Sequence, residues 1–314
     1  MHVEIRHLTR YFGATHAVDD VSFSFAGGAI FGLVGPNGAG KTTTMRILAT
    51  LDEPSSGDAW VDGVSVVQEP QRVRRWIGFM PDSLPQHRDI TVHDYLDFFA
   101  RAYGLRRAQR LAAIAQVEEI TKLAPLQRKM LRALSKGMKQ RVSLARAMVH
   151  DPGLLIMDEP AAGLDPRARV ELRELVKMLA TRGKAILISS HILTELSQIC
   201  DGAAIMEQGR LVQAGPLDDL YRRLHANRGV AGRVVAIRTA RNGPQLVEAL
   251  QKLPHVTAAE LDGPWVQARI DGDEAVGGKV LAELFRQGFE ILEFKQEAAG
   301  LEELFMSVTK GEVQ

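Results

Sequence analysis

The chain is 314 residues long and carries 39 lysines and arginines against 38 aspartates and glutamates, which leaves a formal net charge of +1. That balance disfavours nucleic acid as the main partner, because domains that coat phosphate backbones usually have a large basic excess. A single cysteine excludes an internal disulfide and a multi-cysteine zinc site, and with a charged opening segment unlike a signal peptide it indicates a reducing cytoplasm.

Length and hydropathy set the outline of the fold. Hydrophobic residues make up 46% of the chain, enough for a sizeable core. The length predicts about two domains. No apolar run approaches the roughly 18 residues that a membrane-spanning helix needs. We therefore expect that the chain does not cross a membrane by itself.

Strand-like and helix-like segments alternate through the first half of the chain. Residues 18–25 alternate apolar and polar side chains, which predicts a strand, and residues 29–34 predict a buried strand before a glycine-rich turn. The later segments are predicted as a helix at 41–51, a strand at 154–157, a helix at 167–181 and a strand at 185–188. This alternation predicts an α/β fold with a mainly parallel sheet.

Two stretches depart from that alternation. The helical pattern of residues 92–134 predicts a helical subdomain inserted at about residues 90–150. A polar, glycine-bearing linker at 224–232 divides the chain into domains at 1–225 and 226–314. The order strand, helix, strand, strand, helix, strand then predicts a small α+β, ferredoxin-like domain. Its elements are predicted at 233–238, 244–253, 256–261, 265–270, 275–287 and 290–295, with a last amphipathic helix at 301–309.

A phosphate-binding pattern, G-x-x-x-x-G-K-[ST], follows the buried strand. It is formed by Gly35, Pro36, Asn37, Gly38, Ala39, Gly40, Lys41 and Thr42, with Thr43 next in the helix. Glycines there let backbone N–H groups cradle phosphate oxygens at a helix N-terminus. We expect Lys41 to reach the β- and γ-phosphates of ATP and the Thr42 hydroxyl to bind Mg²⁺. The alternative is an ordinary glycine-rich turn.

Two carboxylates end the apolar strand at 154–157. Asp158 is expected to hold Mg²⁺ through water, and Glu159 to polarise an attacking water. Taken alone, such a pair is also typical of an ordinary strand end. Further upstream, Ser135 is a good N-cap type for a helix that continues through Val149, and taken alone this reads as a capped structural helix.

The order of these motifs resembles the ABC-type ATPases over residues 1–220. Residues 134–141 read Leu-Ser-x-Gly-x-x-Gln-Arg, similar to the signature motif of that family, and lie between the phosphate loop and the acidic strand end. Residues 162–165, Ala-Gly-Leu-Asp, resemble its D-loop, and residues 188–191 resemble its switch histidine. The resemblance implies a P-loop NTPase core of the ABC ATPase type, with ATP and Mg²⁺ as its ligands.

The resemblance also implies a shared site between two cassettes packed head to tail. Ser135 and Gly137, with Gln140 in the same signature motif, are then expected to face the nucleotide of the partner subunit. His191 is expected to contact the γ-phosphate in cis and to orient the water with Glu159. The resemblance further implies that Asp165 relays between the two nucleotide sites.

Two positions match the pattern of the family less closely. An aromatic residue near the N-terminus stacks on adenine in the family, and Phe12 before Gly13 matches that place best, with Tyr11 as the alternative. Asp82 stands where the family has the glutamine of its Q-loop. An aspartate is shorter than a glutamine and charged, so its reach towards Mg²⁺ differs.

The expected function is that of an ATP-hydrolysing subunit of an ABC exporter, working as a homodimer or with a second ATP-binding subunit. It implies a separate integral membrane permease, docked on the helical face around residues 82–99, and a cytoplasmic location at the inner face of the membrane. The alternative is a soluble ABC ATPase acting on nucleic acid or ribosomes. The spacing between Lys41 and Leu134 leaves no room for the long coiled coil of repair-type members. Translation-type members carry two cassettes in one chain, whereas this chain has a single phosphate-binding pattern.

Overall fold

A computed structural model describes residues 1–83, 89–227, 233–239, 241–271 and 274–297. These residues form two compact units, one of residues 1–217 and one of the described residues from 218 onward. The strands are β1 (His2–Phe12), β2 (Thr15–Ala26), β3 (Ile30–Val34), β4 (Ser56–Val61), β5 (Val64–Ser65), β6 (Ile77–Met80), β7 (Leu154–Met157), β8 (Ala185–Ser190), β9 (Gly202–Glu207), β10 (Arg210–Pro216), β11 (Arg233–Thr239), β12 (Val256–Asp262), β13 (Trp265–Ile270) and β14 (Ile291–Glu297). The α-helices are α1 (Lys41–Leu48), α2 (Pro70–Val73), α3 (Val92–Ala102), α4 (Arg107–Ile120), α5 (Lys136–Met148), α6 (Pro166–Thr181), α7 (Leu193–Ser197), α8 (Leu217–Asn227), α9 (Gly243–Gln251) and α10 (Glu274–Arg286).

A six-stranded sheet organises the first unit, in the order β10-β9-β3-β8-β7-β6. The strands from β9 to β6 pair in parallel, and only β10 is antiparallel to its neighbour. Every residue of β3, β7 and β8 is buried, as expected where a parallel sheet is covered on both faces. The carboxyl ends of β3, β6, β7 and β8 therefore meet at one edge, where ligands bind in such sheets.

A second, antiparallel sheet packs on this one and was not predicted. Its order is β2-β1-β4-β5, and its buried side chains belong to the same core as those of β3. Phe25 of β2 stacks on Phe31 of β3 with ring centroids 5.2 Å apart, and Phe23 stacks on Phe31 at 5.6 Å. The first unit is thus a layered α/β structure rather than a single parallel sheet.

Helices fill the connection between β6 and β7. Helices α3, α4 and α5 follow one another there, with two short 3₁₀ turns before α5. Helix α1 is shorter than the predicted 41–51 and ends at Leu48, because Thr50 takes a positive φ of 60° and the Leu51 N–H donates back to the Arg46 carbonyl. Among the described residues, no helix combines the length and the apolar character required to cross a bilayer.

The second unit holds a separate sheet and core. Its four antiparallel strands lie in the order β12-β13-β11-β14, and α9 and α10 contribute to the core. Leu246, Leu250 and Leu284 of these helices are buried with Val235 and Ile237 of β11. The element order agrees with the predicted strand and helix sequence, while the helix predicted at 301–309 lies outside the described residues.

Candidate active site

The loop between β3 and α1 has a geometry that only glycine satisfies at two positions. Gly40 has a φ of 93°, and a Cβ added there would lie 2.3 Å from the carbonyl oxygen of Ala17. A Cβ added at Gly35 would lie 2.4 Å from the carbonyl oxygen of Met206. The loop backbone is therefore held tightly against its neighbours, with the N-terminus of α1 open to an anion.

Lys41 opens α1 and is almost completely buried. Its ammonium donates to the carbonyl oxygens of Gly35 at 2.7 Å and Pro36 at 3.0 Å. Burial lowers the pKa of Lys41, while the nearby carboxylates of Glu159 and Asp158 act in the opposite direction. An ammonium pointing along the glycine-rich loop is well placed to bind phosphate oxygens.

Asp158 connects the phosphate loop with the next strand. It is 3% exposed, and its Oδ2 accepts a hydrogen bond of 2.8 Å from Thr42. Its Oδ1 accepts a bond of 2.7 Å from the Ser189 hydroxyl at the end of β8. Both carboxylate oxygens are thus oriented by hydroxyl groups.

Glu159 and His191 lie beside this cluster. The Glu159 N–H donates to Ser189 Oγ at 2.8 Å, and its carboxylate Oε2 lies 2.7 Å from His191 Nδ1. Glu159 has a φ of 47°, an uncommon conformation for a residue with a side chain. Its side chain is 17% exposed and that of His191 is 51% exposed, so the pair borders solvent.

Ser189 was not among the predicted site residues, although it joins Asp158, Glu159 and β8. The only signal available in the sequence was a small hydroxyl residue two places before the predicted switch histidine. Because its partners are about thirty positions away in sequence, this role becomes visible only when β7 and β8 are seen side by side.

A second group of predicted residues lies where α5 and α6 begin. Ser135 caps α5 by accepting from the Met138 N–H at 3.3 Å, and Asp165 caps α6 by accepting from the Ala168 N–H at 2.9 Å. A Cβ added at Gly137 would lie 3.5 Å from the Ala168 side chain. The signature segment of the chain therefore lies beside the start of α6.

The remaining predicted residues have distinct surroundings. Phe12 ends β1 with half of its surface exposed, and the Arg10 guanidinium lies 4.7 Å from its ring centroid. Tyr11 instead makes an edge contact with His16, with centroids 4.4 Å apart. Asp82 is exposed, and its carboxylate accepts a long bond of 3.3 Å from Ser83.

Gln140 is buried, and its side-chain amide donates to the Asp82 main-chain carbonyl at 3.1 Å. This contact lies inside the chain, whereas the motif predicted a contact across to a partner's nucleotide. The backbone at position 82 is thus linked to the signature helix without use of the Asp82 side chain.

No group of three or more histidine, cysteine, aspartate and glutamate side chains within the described ranges is arranged to hold a metal ion. Mg²⁺ does not require such a group, since it keeps several waters and takes one or two carboxylates together with substrate phosphates. Thr42 and Asp158, with oxygens 2.8 Å apart, match that donor set.

Comparisons with known proteins identify the family of the chain. The family model for the ABC transporter matches residues 18–162. The linearmycin resistance ATP-binding protein LnrL of Bacillus subtilis (strain 168) is 31% identical over 98% of both chains. The daunorubicin/doxorubicin resistance ATP-binding protein DrrA of Streptomyces peucetius is 32% identical over 98% of this chain and 92% of its own.

Solved structures point the same way. An ATP-binding subunit of an ABC transporter is 32% identical and superposes with a TM-score of 0.65 over 71% of this chain and 93% of its own. The fold of the first unit is therefore that of an ABC-type P-loop ATPase. The chain belongs to the ATP-binding proteins of ABC transporters, and it is an ATPase.

Proposed function

We propose that the chain powers an exporter by binding and hydrolysing ATP as a dimer, with a second copy or another ATP-binding subunit, on a separate membrane permease. The observation that carries the proposal is the hydrogen-bonded series that joins Thr42, Asp158, Ser189, Glu159 and His191 beside the phosphate loop. The names of the similar proteins, which describe resistance and Nod factor export, support outward transport.

The phosphate loop binds and orients the triphosphate. Lys41 exchanges its two carbonyl contacts for β- and γ-phosphate oxygens, and the N–H groups of residues 35–43 complete the cradle. Phe12, with one face against Arg10, offers its other face to adenine. Thr42 and, through water, Asp158 hold Mg²⁺, which supplies charge neutralisation of the phosphates when bound.

Glu159 and His191 act on the attacking water. The Glu159 carboxylate accepts a proton from that water, and His191 fixes the carboxylate and contacts the γ-phosphate in cis. Rigid placement matters here because phosphoryl transfer is catalysed mostly by positioning and electrostatics. Ser189 supports both acidic residues by bonding to the Asp158 carboxylate and the Glu159 backbone.

The second group of residues serves the partner subunit. Ser135 and the Gly137 N–H, at the start of α5, face the γ-phosphate that is bound to the partner's phosphate loop, and Asp165 links the two sites. Gln140 carries a different role from the one that its motif suggested. It ties the Asp82 backbone to α5, so a shift of this segment moves the signature helix.

The finer domain organisation also belongs to the proposal. We assign residues 1–225 to the ATP-binding domain, with a helical subdomain at about 90–150 that docks the permease through the face around residues 82–99. The exposed Phe98 of α3 supports that face. Residues 226–314 form a ferredoxin-like accessory domain, supported by the strand order β12-β13-β11-β14. The subunit then lies in the cytoplasm, at the inner face of the membrane.

Light scattering on Glu159→Gln, with and without ATP and Mg²⁺, tests the shared-site mechanism. Removal of the base should trap a dimer that forms only with ATP. The matched control is Glu119→Gln, an equally conservative change of an exposed glutamate on α4, which should behave like the parent. A Glu159→Gln protein that binds ATP and stays monomeric would contradict the proposal.

A further inference from the structure

Helix α6 is joined by charged side chains to a helix on either side. Glu171 of α6 accepts a hydrogen bond from Arg141 of α5, and Arg169 of α6 lies 2.9 Å from Glu195 of α7. Helix α5 begins after Ser135, and α7 begins two residues after His191. Helix α6 therefore lies between the segment that faces a partner's nucleotide and the segment that faces its own.

Glu171 lies near the start of α6, at its contact with α5. At Gly137 an added Cβ would lie 3.5 Å from the Ala168 side chain and 3.8 Å from that of Leu164, so the two helix starts lie side by side with room for a methyl group between them. Glu171 also lies 3.7 Å from Arg167, which places its carboxylate between two guanidinium groups. Its side chain is only 28% exposed.

A pocket lies beside the contact between α6 and α7. Its volume is about 150 Å³, and it is partly open to solvent. Its apolar walls are formed by Val170, Leu172, Val176, Ile188, Leu196 and Ile199. Polar contacts from Arg169 to Glu195 and from Arg173 to Gln198 connect the helices beside it.

From the bond between Glu171 and Arg141 we infer that Glu171 is a positioning residue that fixes the signature helix α5 to the D-loop helix α6. A displacement of Ser135 and Gly137 by a partner's nucleotide then carries Asp165 with it. The ion pair between Arg169 and Glu195 then carries the movement to α7, which begins two residues after His191. The inference rests on the proposed function, because it assumes that Ser135 binds in trans.

The experiment compares the charge reversals Glu171→Arg and Arg141→Glu with the double variant that exchanges the two charges. For a partly exposed ion pair, we expect each reversal to lower kcat by about fivefold. The Kd of ATP for the monomer stays unchanged, since Lys41 and its neighbours are untouched. The exchanged pair should recover about half of the kcat of the parent or more. Glu283→Arg is the matched control, because Glu283 also pairs with an arginine and is 31% exposed.

Each outcome of this experiment either supports or overturns the positioning role of Glu171. Reversals with the kcat of the parent would overturn the role of Glu171, and so would an exchanged pair as impaired as the single variants. If Glu171→Arg does not fold, Glu171→Gln is tested against the same criteria. A parent chain without ATPase activity would contradict the proposed function itself. An active parent whose Glu171 variants keep the kcat of the parent would contradict only this inference.

Discussion

The carboxylate of Glu159 lies 2.7 Å from Nδ1 of His191, and the backbone N–H of Glu159 donates to the Ser189 hydroxyl. The two residues come from different strands, β7 and β8, which pair in parallel. In the role of general base that we propose for it, Glu159 held in this way loses little freedom on reaction, which is the condition for catalysis by positioning.

Replacing His191 with alanine should lower kcat by about a hundredfold, because the Glu159 carboxylate loses the group that orients it. The Kd of ATP should stay within about twofold, since the phosphate loop supplies most contacts. Steady-state ATPase assays and titration with a fluorescent nucleotide measure the two quantities. His93→Ala is the matched control, because His93 also pairs with a carboxylate, Glu118, at 3.2 Å. Equal losses in both variants would contradict the prediction.

Replacing Ser189 with alanine should lower the free energy of unfolding by about 1–3 kcal/mol. The change leaves one buried Asp158 oxygen and the Glu159 N–H without their hydroxyl partner. Urea unfolding monitored by circular dichroism checks this. Ser197→Ala removes a serine hydroxyl on the exposed side of α7 and should leave the free energy of unfolding unchanged. A Ser189→Ala protein as stable as the parent would show that the bonds are dispensable.

Replacing Asp82 with glutamine should leave nucleotide binding intact, because the contact that this residue makes with Gln140 uses its main-chain carbonyl. Any side chain at position 82 keeps that carbonyl. We expect a Kd of ATP within about twofold of the parent, and a loss of about tenfold would contradict the prediction. Isothermal titration with ATP and Mg²⁺ measures it, with Asp158→Asn as the variant that should bind more weakly.

His150 predicts an acid-sensitive stability. Burial lowers its pKa to about 4, its Nε2–H donates to the Ile77 carbonyl at 3.0 Å, and its ring stacks on Tyr103. Its buried Nδ1 has no hydrogen-bond partner within the described ranges. Because an unfolded histidine titrates near 6.5, the unfolded state binds the proton first as pH falls. The stabilisation is therefore complete above pH 6.5 and is lost between about 6.5 and 4, up to about 3 kcal/mol.

The free energy of unfolding, measured against pH for the parent and for His150→Gln, tests this. Other groups titrate in both proteins, so the difference between the two curves isolates His150. We expect that difference to shrink as pH falls below about 6.5. Parallel curves would contradict a neutral, buried imidazole.

The sequence predicted the strands that are uninterrupted apolar runs, and it did not predict β1. β3, β7 and β8 are buried throughout, so their composition alone marks them. β1 contains register shifts between Ile5, Leu8, Arg10 and Tyr11, and His7 has a positive φ of 51°. Such irregularities break the alternation of polar and apolar side chains on which strand prediction depends.

The same contrast holds for the site. Lys41, Thr42, Asp158 and Glu159 lie in contiguous motifs whose local pattern predicts their neighbourhood. The bond from Gln140 to Asp82 joins residues 58 positions apart through a main-chain atom, and no side-chain pattern records it. The side chains of contiguous motifs were thus predictable, while the bonds of Ser189 and the main-chain contact at position 82 were not.

Each of the three tryptophans of the chain lies beside a cationic side chain. Arg6 and Arg72 lie over Trp60 and Trp76 in the first unit. In the second unit Trp265 has the Lys295 ammonium 4.4 Å from its ring centroid and Arg238 at 5.7 Å. With Trp60 and Trp76 changed to phenylalanine, the indole of Trp265 would remain alone. Its emission would then report on the sheet of the second unit only. Fluorescence could then follow the unfolding of the second unit by itself in one intact chain.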